Sequence, residues 1–441
     1  MGMAEKSWEL AINRLGIEFL TDMQKNALDA FTKYNNIIII SPTGSGKTLA
    51  FLLPLLNHLD KNKQAVEVLI ITPSRELAQQ IEGVFRNMGT EFKVNSCYGG
   101  HSMSTEKNNF ILPPAVLVGT PGRIADHLRS GNISMASVNT LILDEFDKSL
   151  EFGFQNEMSY IISRLPAVKR KILSSATNLN EIPEFTGIAN PIILNYLVQE
   201  KDGNNLQINI VKSQKKDKLD CLFHLLCNLG SAPTLVFCNH REAVERISIH
   251  LKEMGIANDY FHGGLEQTER ERMLVRFRNG SSFILITTDL ASRGLDIPDI
   301  SFIIHYQLPT TDESFIHRNG RTARMHSSGS SYLILSEEEN IPTYIKPGYS
   351  IYKLSEDLIM PEKPIWQTLY LGGGKKDKIN KMDIAGFLFK QGGLNKDELG
   401  YIDVKDHHSY AAVKYDLIHS VIKRIRDSKI KNKKIKIEIS Y

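Results

Sequence analysis

The sequence predicts an α/β protein with two tandem parallel-sheet domains followed by a small C-terminal α+β domain. Short apolar strands alternate with longer amphipathic segments through residues 1–200, and the same rhythm restarts near residue 206 after a polar break that contains glycine. This alternation is typical of βαβ units in a parallel sheet. Residues 365–441 have a different order, β-α-β-β-α-β, which predicts a four-stranded sheet with helices on one face.

Each element is predicted from its apolar pattern. In the first domain we expect strands at residues 37–40, 68–72, 115–118, 141–143 and 171–173. In the second we expect them at 208–211, 234–237, 283–287, 302–305 and 331–335. In the last segment we expect strands at 366–371, 400–404, 410–414 and 434–439, and helices at 379–390 and 415–427. The predicted domains are therefore 1–200, 206–355 and 365–441, with a proline-containing linker at 356–364.

Composition excludes several classes of protein. The chain has 441 residues, of which 42% are hydrophobic and 23% charged, as in globular proteins. It has no apolar run of membrane-spanning length, and its first residues lack a signal-peptide core, so we expect a cytoplasmic protein with no membrane partner. Its four cysteines include no Cys-x-x-Cys pair, which argues against a zinc site or a disulfide framework.

Charge is unevenly distributed along the chain. The net charge is +3, yet residues 365–441 carry 16 Lys and Arg against 9 Asp and Glu. A basic module on a nearly neutral body indicates a polyanionic partner. A solvated charged surface without a partner is the alternative interpretation.

Residues 41–48, SPTGSGKT, follow a strand of four isoleucines and precede an apolar helix. Glycines let the backbone turn so that N–H groups face phosphate oxygens, and the helix N-terminus adds positive charge. Lys47 would reach the β- and γ-phosphates, and the Thr48 hydroxyl would bind Mg²⁺. Ser41 stands where the strict pattern has glycine. A glycine-rich turn that binds nothing is the alternative.

A carboxylate pair and an arginine cluster complete the predicted chemistry. Asp144 and Glu145 follow the apolar strand 141–143. We expect Asp144 to hold Mg²⁺ through water and Glu145 to orient and deprotonate the attacking water. Three arginines lie within residues 318–324, and in a helix Arg321 and Arg324 would share one face and act as arginine fingers. A basic helix that faces RNA or solvent is the alternative.

With these segments placed, the chain resembles the DEAD-box RNA helicases of helicase superfamily 2 over residues 7–340. The matching motifs, in the family's order, are Gln24, Pro73-Ser74-Arg75-Glu76-Leu77-Ala78, Gly99-Gly100, Thr120-Pro121-Gly122-Arg123, Asp144-Glu145-Phe146-Asp147, Ser175-Ala176-Thr177, Val236-Phe237-Cys238-Asn239, His262-Gly263 with Gln267 and Arg270, residues 288–296, and residues 317–324. Such a chain is expected to have two RecA-like domains and to hydrolyse ATP with Mg²⁺ when RNA is bound.

The resemblance also implies residue roles. Catalysis falls to Lys47, Asp144, Glu145, Arg321 and Arg324. ATP contacts fall to Trp8, Gln24, Thr43, Gly44, Ser45, Gly46, Lys47, Thr48 and Asp296. RNA contacts fall to Pro73, Arg75, Gly100, Thr120, Arg123, Gln267, Arg270 and Thr288. Coupling between the domains falls to Asp147, Ser175, Thr177 and His317. The family has alanine where this chain has Phe146, and we expect the phenyl ring to slow domain closure without abolishing hydrolysis.

The last segment resembles the RNA-binding module of the bacterial DbpA group, an RRM-like fold. Tyr370 and Tyr410 fall at base-stacking positions, whereas Ala412 replaces a second aromatic residue, so we expect lysines to contribute more than stacking. The other expected RNA contacts are Lys375, Lys376, Lys378, Lys381 and His408, with the basic run 429–436. This resemblance implies an RNA helicase that remodels structured 23S ribosomal RNA in large-subunit precursors. We expect a monomer with no DNA partner.

Three alternatives remain open at this stage. A DNA helicase of the same superfamily is disfavoured by Gln24 together with the Asp144–Asp147 motif. A general cold-shock RNA helicase or chaperone shares the same core. A weakly active RNA-binding scaffold would result if Phe146 cripples turnover.

Overall fold

The structure is a computed structural model that describes residues 7–100, 103–179, 181–197, 206–289, 300–322 and 329–440. These residues form two compact units, one before and one after the break at 198–205. The predicted sites Asp296 and Arg324 lie outside the described residues.

The first unit contains a seven-stranded parallel sheet in the order β3-β4-β2-β5-β6-β1-β7. Its strands β1 to β7 are Asn36–Ile40, Val68–Ile71, Val94–Cys97, Val116–Gly119, Thr140–Leu143, Arg170–Ser175 and Ile192–Asn195. Its helices α1 to α8 are Ser7–Leu15, Asp22–Lys33, Lys47–Leu55, Arg75–Asn87, Met103–Asn109, Pro121–Arg129, Phe146–Glu151 and Gln155–Ser163.

Strand β1 explains how this sheet is held. Successive side chains of a strand point to opposite faces. Ile37 and Ile39 accordingly join the apolar core on one face of the sheet, and Ile38 and Ile40 join the core on the other. The strand is buried on both faces, which is why the sequence there is continuously apolar.

The second unit repeats the topology of the first. Its parallel sheet has the order β10-β11-β9-β12-β13-β8-β14, so each strand holds the place of the strand seven numbers earlier. Strands β8 to β14 are Leu206–Lys212, Thr234–Cys238, Asp259–Phe261, Ile284–Thr288, Phe302–His305, Gly329–Leu335 and Ser350–Tyr352. Helices α9 to α12 are Leu219–Leu229, Arg241–Glu253, Gln267–Arg278 and Asp312–Asn319.

The C-terminal module, also in the second unit, is a four-stranded antiparallel sheet in the order β16-β17-β15-β20. Strands β15 to β20 are Trp366–Leu371, Leu399–Val404, Ser409–Lys414, Lys429–Ile430, Lys433–Lys434 and Ile437–Ile439, of which β18 and β19 form a separate ribbon. Helices α13 (Lys381–Lys390) and α14 (Ile418–Ile425) share an apolar core with the sheet. The predicted fold class, two RecA-like parallel-sheet domains and a small α+β module, is confirmed.

One local expectation is wrong. The helix expected to carry Arg321 ends at Asn319, so Arg321 lies in the turn that follows α12.

The Phe146 ring is fully buried in the core of the first unit, and its centroid lies 6.4 Å from that of Phe185. Its surroundings are those of a core residue, and its expected effect on domain closure stays a prediction.

Within the described residues, no helix is both long enough and apolar enough to cross a membrane.

Candidate functional site

The carboxyl edge of the first sheet divides the predicted motifs into two groups. The phosphate cradle, Asp144 with Glu145, and Ser175 with Thr177 lie at the carboxyl ends of β1, β5 and β6, which are neighbours. The predicted RNA motifs follow β2, β3 and β4, which form the other half of the sheet. Ligands of parallel sheets bind beyond the carboxyl ends of the strands, so one edge presents two adjoining sites.

The cradle has the backbone expected of a phosphate loop. Gly44 and Gly46 have φ values of 81° and 89°, in the left-handed region that favours glycine. The buried Lys47 ammonium donates to the carbonyl oxygens of Ser41, at 2.5 Å, and Pro42, at 2.7 Å. Lys47 is the first residue of α3. The glycine-containing loop, the Lys47 side chain and the N-terminus of α3 therefore meet at one point. Thr43 and Ser45 lie in this loop, and Thr48 is the second residue of α3.

Gln24 is positioned against this loop by its own helix. Thr21 and Gln24 form a capping box at the start of α2, with Thr21 N to Gln24 Oε1 at 2.9 Å. The Gln24 side-chain amide also donates to the Gly46 carbonyl at 3.3 Å. A Cβ on Gly46 would lie only 2.6 Å from that amide nitrogen, which is a second reason for glycine there. Trp8, the other predicted adenine contact, packs on the core of the first unit.

Asp144 and Glu145 are held by a residue that sequence reasoning missed, Ser174 on β6. The Ser174 hydroxyl bonds to the Asp144 carboxylate and accepts the Glu145 N–H at 3.2 Å. Glu145 has φ 45° and ψ 51°, a left-handed conformation that costs a non-glycine residue about 1–2 kcal/mol. A polar Ser174 in a buried strand was the available signal, because a buried hydroxyl must find a partner.

The surroundings of Asp144 fit a divalent cation. The residue is 3% exposed, and burial raises the pKa of its carboxyl, although the Ser174 hydrogen bond and the nearby Lys47 oppose that shift. Protein groups therefore compensate the carboxylate charge only in part. Mg²⁺ is commonly held by one or two carboxylates and the substrate phosphates, and Asp144 with the Thr48 hydroxyl supplies such a set. Among the described residues, no group of three or more His, Cys, Asp or Glu side chains is placed so that it could hold a metal ion by itself.

Asp147 connects the carboxylate motif to residues 175–177. Thr177 Oγ1 donates to Asp147 Oδ2 at 3.2 Å, and Ser175 Oγ donates to the Thr177 carbonyl at 2.7 Å. These hydrogen bonds tie the start of α7 to the loop after β6.

The predicted RNA motifs of the first unit meet around a buried carboxylate, Glu106 on α5. Glu106 accepts the Arg123 Nε–H at 2.6 Å and the Tyr98 N–H at 3.1 Å, and it lies 2.6 Å from His127 Nε2. Burial alone would raise the pKa of Glu106, but hydrogen bonds from His127 and Arg123 bring it below its ordinary value. One ionised carboxylate thus fixes both the start of the Gly99-Gly100 loop and Arg123.

The other predicted RNA residues of this unit lie at the same edge. A Cβ on Gly99 would lie 3.2 Å from an Arg75 guanidinium nitrogen, and Gly100 has φ 99°. Thr120 precedes α6 with Pro121 as the first helical residue, and Pro73 follows β2.

In the second unit, Arg318 joins three of the predicted motifs, although sequence reasoning gave it no role. Its guanidinium binds both carboxylate oxygens of Asp289, at 2.6 and 2.7 Å. It also donates at 2.7 Å to Asn239 Oδ1 and to the Gln307 carbonyl. The side chain is 1% exposed, and a bidentate arginine–carboxylate pair of this kind fixes geometry as well as charge. Arg318 is therefore a positioning residue.

The remaining predicted residues of this unit are buried. Gln267 and Arg270 lie on α11, where Arg270 stands 5.0 Å from the centre of the Phe261 ring. Thr288 ends β11, and His317 lies on α12. Arg321 is also buried.

The predicted RNA residues of the C-terminal module separate into two groups. Lys375, Lys376, Lys378 and Lys381 are exposed around the turn between β15 and α13. Tyr370, His408 and Tyr410 form a ring cluster on the sheet with centroids 5.2–5.7 Å apart. Tyr410 is only 2% exposed. Most of the basic run is paired on the surface, as in Lys431–Asp383, Lys433–Asp377 and Lys434–Asp427.

Three family models match the chain in succession. They are the DEAD/DEAH box helicase over residues 21–185, the helicase conserved C-terminal domain over 217–326, and the DbpA RNA binding domain over 368–439. The ATP-dependent RNA helicase DbpA of Escherichia coli is 32% identical over 97% of this chain and 96% of its own length. The chain belongs to the DEAD-box family of ATP-dependent RNA helicases. It is of the DbpA type, and it is therefore an RNA-stimulated ATPase.

Other relatives and solved structures agree with this assignment. DbpA of Bacillus subtilis is 29% identical over 97% of this chain and 96% of its own length. Saccharomyces cerevisiae Dbp5 bound to RNA and ADP BeF3 has a TM-score of 0.69 and 26% identity, and the match covers 76% of this chain and 88% of that one. Mss116p bound to ssRNA and AMP-PNP has a TM-score of 0.69 and 25% identity, with 80% and 78% covered.

Proposed function

We propose that this DEAD-box helicase locally opens short duplexes in structured 23S ribosomal RNA during assembly of the large ribosomal subunit. The observation that carries the proposal is the C-terminal module: a DbpA-type RNA-binding domain matches residues 368–439, and four lysines are exposed around its first turn. We also propose that the protein acts in the cytoplasm as a monomer, and that it acts on RNA and not on DNA.

The proposed chemistry follows from the first unit. Lys47 and the backbone of the cradle bind the phosphates, Gln24 and Trp8 contact adenine, and Glu145 takes a proton from the attacking water. Thr48 and Asp144, the latter through water, would hold Mg²⁺, which neutralises charge on the phosphates. The Ser174 hydroxyl donates to the Asp144 carboxylate and accepts the backbone N–H of Glu145, so it fixes the carboxylate of Asp144 and the left-handed backbone of Glu145. Asp296 is proposed to contact ribose.

The proposed coupling is between ATP and RNA. Arg321 and Arg324 act as arginine fingers on the phosphates when the domains close, and Asp147, Ser175, Thr177 and His317 transmit that closure. Pro73, Arg75, Gly100, Thr120, Arg123, Gln267, Arg270 and Thr288 hold the RNA backbone in the closed state. Because both ligands favour the closed state, each raises the apparent affinity of the other. A strand bent in this grip cannot stay paired, so a neighbouring short helix opens.

One comparison tests the choice of target. ATP hydrolysis is measured with 23S ribosomal RNA fragments and with unstructured RNA of equal length, for the whole chain and for a chain ending at residue 364. We expect the fragments to stimulate at lower concentration, and we expect truncation to remove that preference. Equal stimulation by both RNAs would favour the alternative, a general cold-shock helicase. The RNA helicase CshB of Bacillus subtilis is 34% identical over 77% of this chain, so the helicase core alone does not separate the two.

Lys47→Ala separates an active helicase from an RNA-binding scaffold. We expect the variant to lose RNA-stimulated hydrolysis and to keep its RNA affinity in the absence of ATP. Hydrolysis that is already absent from the unmodified chain would favour the scaffold.

A further inference from the structure

Buried polar side chains join the C-terminal module to helix α11 of the second helicase domain. Thr368 Oγ1 accepts a hydrogen bond from Asn279 Nδ2 at 3.1 Å and is bonded to Ser281 Oγ at 2.7 Å, and all three residues are buried. Arg276 of α11 donates to the carbonyl oxygen of Ser440, which follows the last strand of the module. Hydrogen bonds require a narrow range of distance and angle, so contacts at two separate strands fix the orientation of the module as well as its position.

The second domain holds its own side of this contact in place. Arg276 Nε donates to the carboxylate of Asp259 on β10 at 2.9 Å, and Asp259 is 2% exposed. Breaking such a pair would leave a charge buried without its partner, so the arginine is firmly held. A Cβ on Gly280 would lie 3.5 Å from Cδ1 of Trp366, which shows that the indole ring packs on the turn after α11.

The segment that connects the two also lies on the second domain. Strand β14 pairs with β8, and shortly after it the Ser355 N–H donates to Asn228 Oδ1 at 2.8 Å. Near the other end of the segment, the Glu362 N–H donates to Ser231 Oγ at 2.6 Å. Asn228 lies in the last turn of α9, and Ser231 follows that helix. The predicted linker at 356–364 is therefore attached near both of its ends.

One helix connects the predicted RNA contacts of the second domain to the module. Gln267 and Arg270 lie in the first turn of α11, and Asn279 follows its last residue. Asn279 stands nine positions after Arg270, which corresponds to about 13 Å along a helix. Folded structure therefore sets the distance from these residues to the exposed lysines of the module.

We propose that the second helicase domain and the module form one rigid RNA-holding body, and that this body selects its substrate by spacing. The substrate class is a structured RNA in which the duplex to be opened lies at a fixed distance from the element held by the module. A flexible tether would instead raise the local concentration of the core over a wide range of spacings. The inference rests on the proposed function, because it takes both parts of the body as RNA contacts.

The first arm of the test measures rigidity and needs no ribosomal RNA. The four natural cysteines are buried, so cysteines introduced at exposed positions can be spin-labelled selectively. Ile249→Cys on α10 and Lys390→Cys on α13 provide one exposed position on each side of the contact. Pulsed electron paramagnetic resonance on the full chain gives the distribution of distances between the labels. We expect one narrow distribution, which stays the same with a non-hydrolysable ATP analogue and a single-stranded RNA oligonucleotide.

A double variant tests the contact itself. Ser281→Leu puts a bulkier apolar side chain in place of a buried hydroxyl, and Thr368→Val removes the hydroxyl that joins it to the module. Together they should broaden the distance distribution, while RNA-stimulated hydrolysis shows that the helicase core is still folded. Ser420→Leu, at an exposed serine of α14, is the matched control and should keep the narrow distribution.

The second arm measures the spacing that the helicase accepts. It uses the 23S ribosomal RNA fragment that stimulates hydrolysis at the lowest concentration, joined to a short duplex through spacers that lengthen by one base pair at a time. We expect the unwinding rate to fall about tenfold on either side of one best spacing, because a rigid connection loses effective concentration when the two sites cannot be spanned. The double variant should flatten this profile, and Ser420→Leu should retain it.

The outcomes are distinct. A broad distance distribution in the unmodified chain would overturn the proposal, and so would an unwinding rate that does not depend on spacing. A double variant that behaves like Ser420→Leu in both arms would overturn the assignment of the rigid contact to these residues. If no 23S ribosomal RNA fragment is preferred, the proposed function fails, and the distance measurement still decides whether the body is rigid.

Discussion

Phe146 differs from the DEAD-box pattern, and in this protein its ring packs in the core. The ring is fully buried, and Phe185 packs against the same core. From the motif around it, sequence reasoning expected the ring to lie beside the domain interface and to slow closure. The position of a side chain cannot be read from its motif, since the same backbone at the start of α7 can direct it inward.

Phe146→Ala should therefore destabilise the first domain. Loss of a buried phenyl ring costs about 3–5 kcal/mol, through lost burial and the cavity that remains. We expect a clear fall in the thermal midpoint of the first domain, measured by calorimetry with the domain's transition assigned by ATP stabilisation.

Phe19→Ala is the control for this change, because Phe19 is 84% exposed and surface substitutions rarely exceed about 0.5 kcal/mol. An unchanged midpoint for Phe146→Ala, together with altered ATP turnover, would instead restore the interface interpretation.

Asp144 is expected to make the ligand-free first domain less stable as the pH rises. Burial raises the pKa of its carboxyl, so the folded state must ionise a group that the unfolded chain ionises more easily. Asp144→Asn should raise the thermal midpoint at pH 7. This gain should shrink as the pH falls toward the ordinary aspartate pKa of about 3.9. Midpoints measured at several pH values, without nucleotide, test the sign.

Two further measurements sharpen that prediction. Mg²⁺ with ATP should stabilise the unmodified chain and have much less effect on Asp144→Asn. Asp126→Asn, a change at an exposed aspartate of the same domain, should leave the midpoint and its pH dependence as they were. A gain for Asp144→Asn that grows at low pH would contradict the burial argument.

At the scale of elements, the strands of the two parallel sheets that sequence reasoning missed are those at the sheet edges. The ten central strands of the two parallel sheets were predicted, since burial on both faces makes them continuously apolar. The missed strands β3, β7, β10 and β14 lie at the ends of the two sheets. Their sequences are VNSC, IILN, DYF and SIY, short and partly polar because one side of each strand has no partner. Such a strand forms because it pairs with a neighbouring strand in space, and the local sequence pattern does not show that pairing.

The candidate site was also predicted only in part. Residues in local motifs, such as Lys47 and Asp144, were predicted because the phosphate cradle and the carboxylate pair are each a short contiguous stretch of sequence. Ser174, Glu106 and Arg318 were missed because their roles depend on partners in other elements. Arg318, for example, binds groups that come from three different strand ends.

Helix α5 supplies a testable case of this kind. Glu106→Gln keeps the shape of the side chain and removes the charge that holds Arg123 and the start of the Gly99-Gly100 loop. We expect the RNA concentration for half-maximal ATPase stimulation to rise about tenfold, since charged hydrogen bonds contribute about 1.5–3 kcal/mol. The KM for ATP should change little, because the cradle lies at the other half of the sheet edge.

Glu82→Gln is the matched control for that change. Glu82 on α4 accepts hydrogen bonds from Arg86 on the same helix and from Ser96 on β3, so it also links a helix to a strand. These bonds involve neither Arg123 nor the Gly99-Gly100 loop. Equal effects of both changes on RNA and ATP parameters would show that Glu106 acts only on stability. Recovery of RNA affinity in Glu106→Asp would support a role for the charge.

At the scale of the whole molecule, the two helicase domains repeat one seven-strand order. Parallel sheets need only apolar strands and amphipathic helices, and many sequences satisfy that requirement. The repeat places corresponding strand ends at corresponding sites: β10 and β11 precede the predicted RNA residues of the second domain as β3 and β4 do in the first. The shared topology therefore repeats the arrangement of the predicted sites in both domains.

Docking of the C-terminal module on α11 is the remaining whole-molecule feature, and Thr368→Val tests it. The substitution keeps the shape of the side chain but leaves Asn279 and Ser281 without a buried partner, which costs about 1–3 kcal/mol per group. We expect amides of α11 to exchange with solvent at least tenfold faster, measured by hydrogen exchange and mass spectrometry, while RNA-stimulated hydrolysis persists. Thr32→Val, at an exposed threonine of α2, should leave α11 protected. Unchanged protection in Thr368→Val would mean that other contacts hold the module, among them the hydrogen bond from Arg276 to the Ser440 carbonyl.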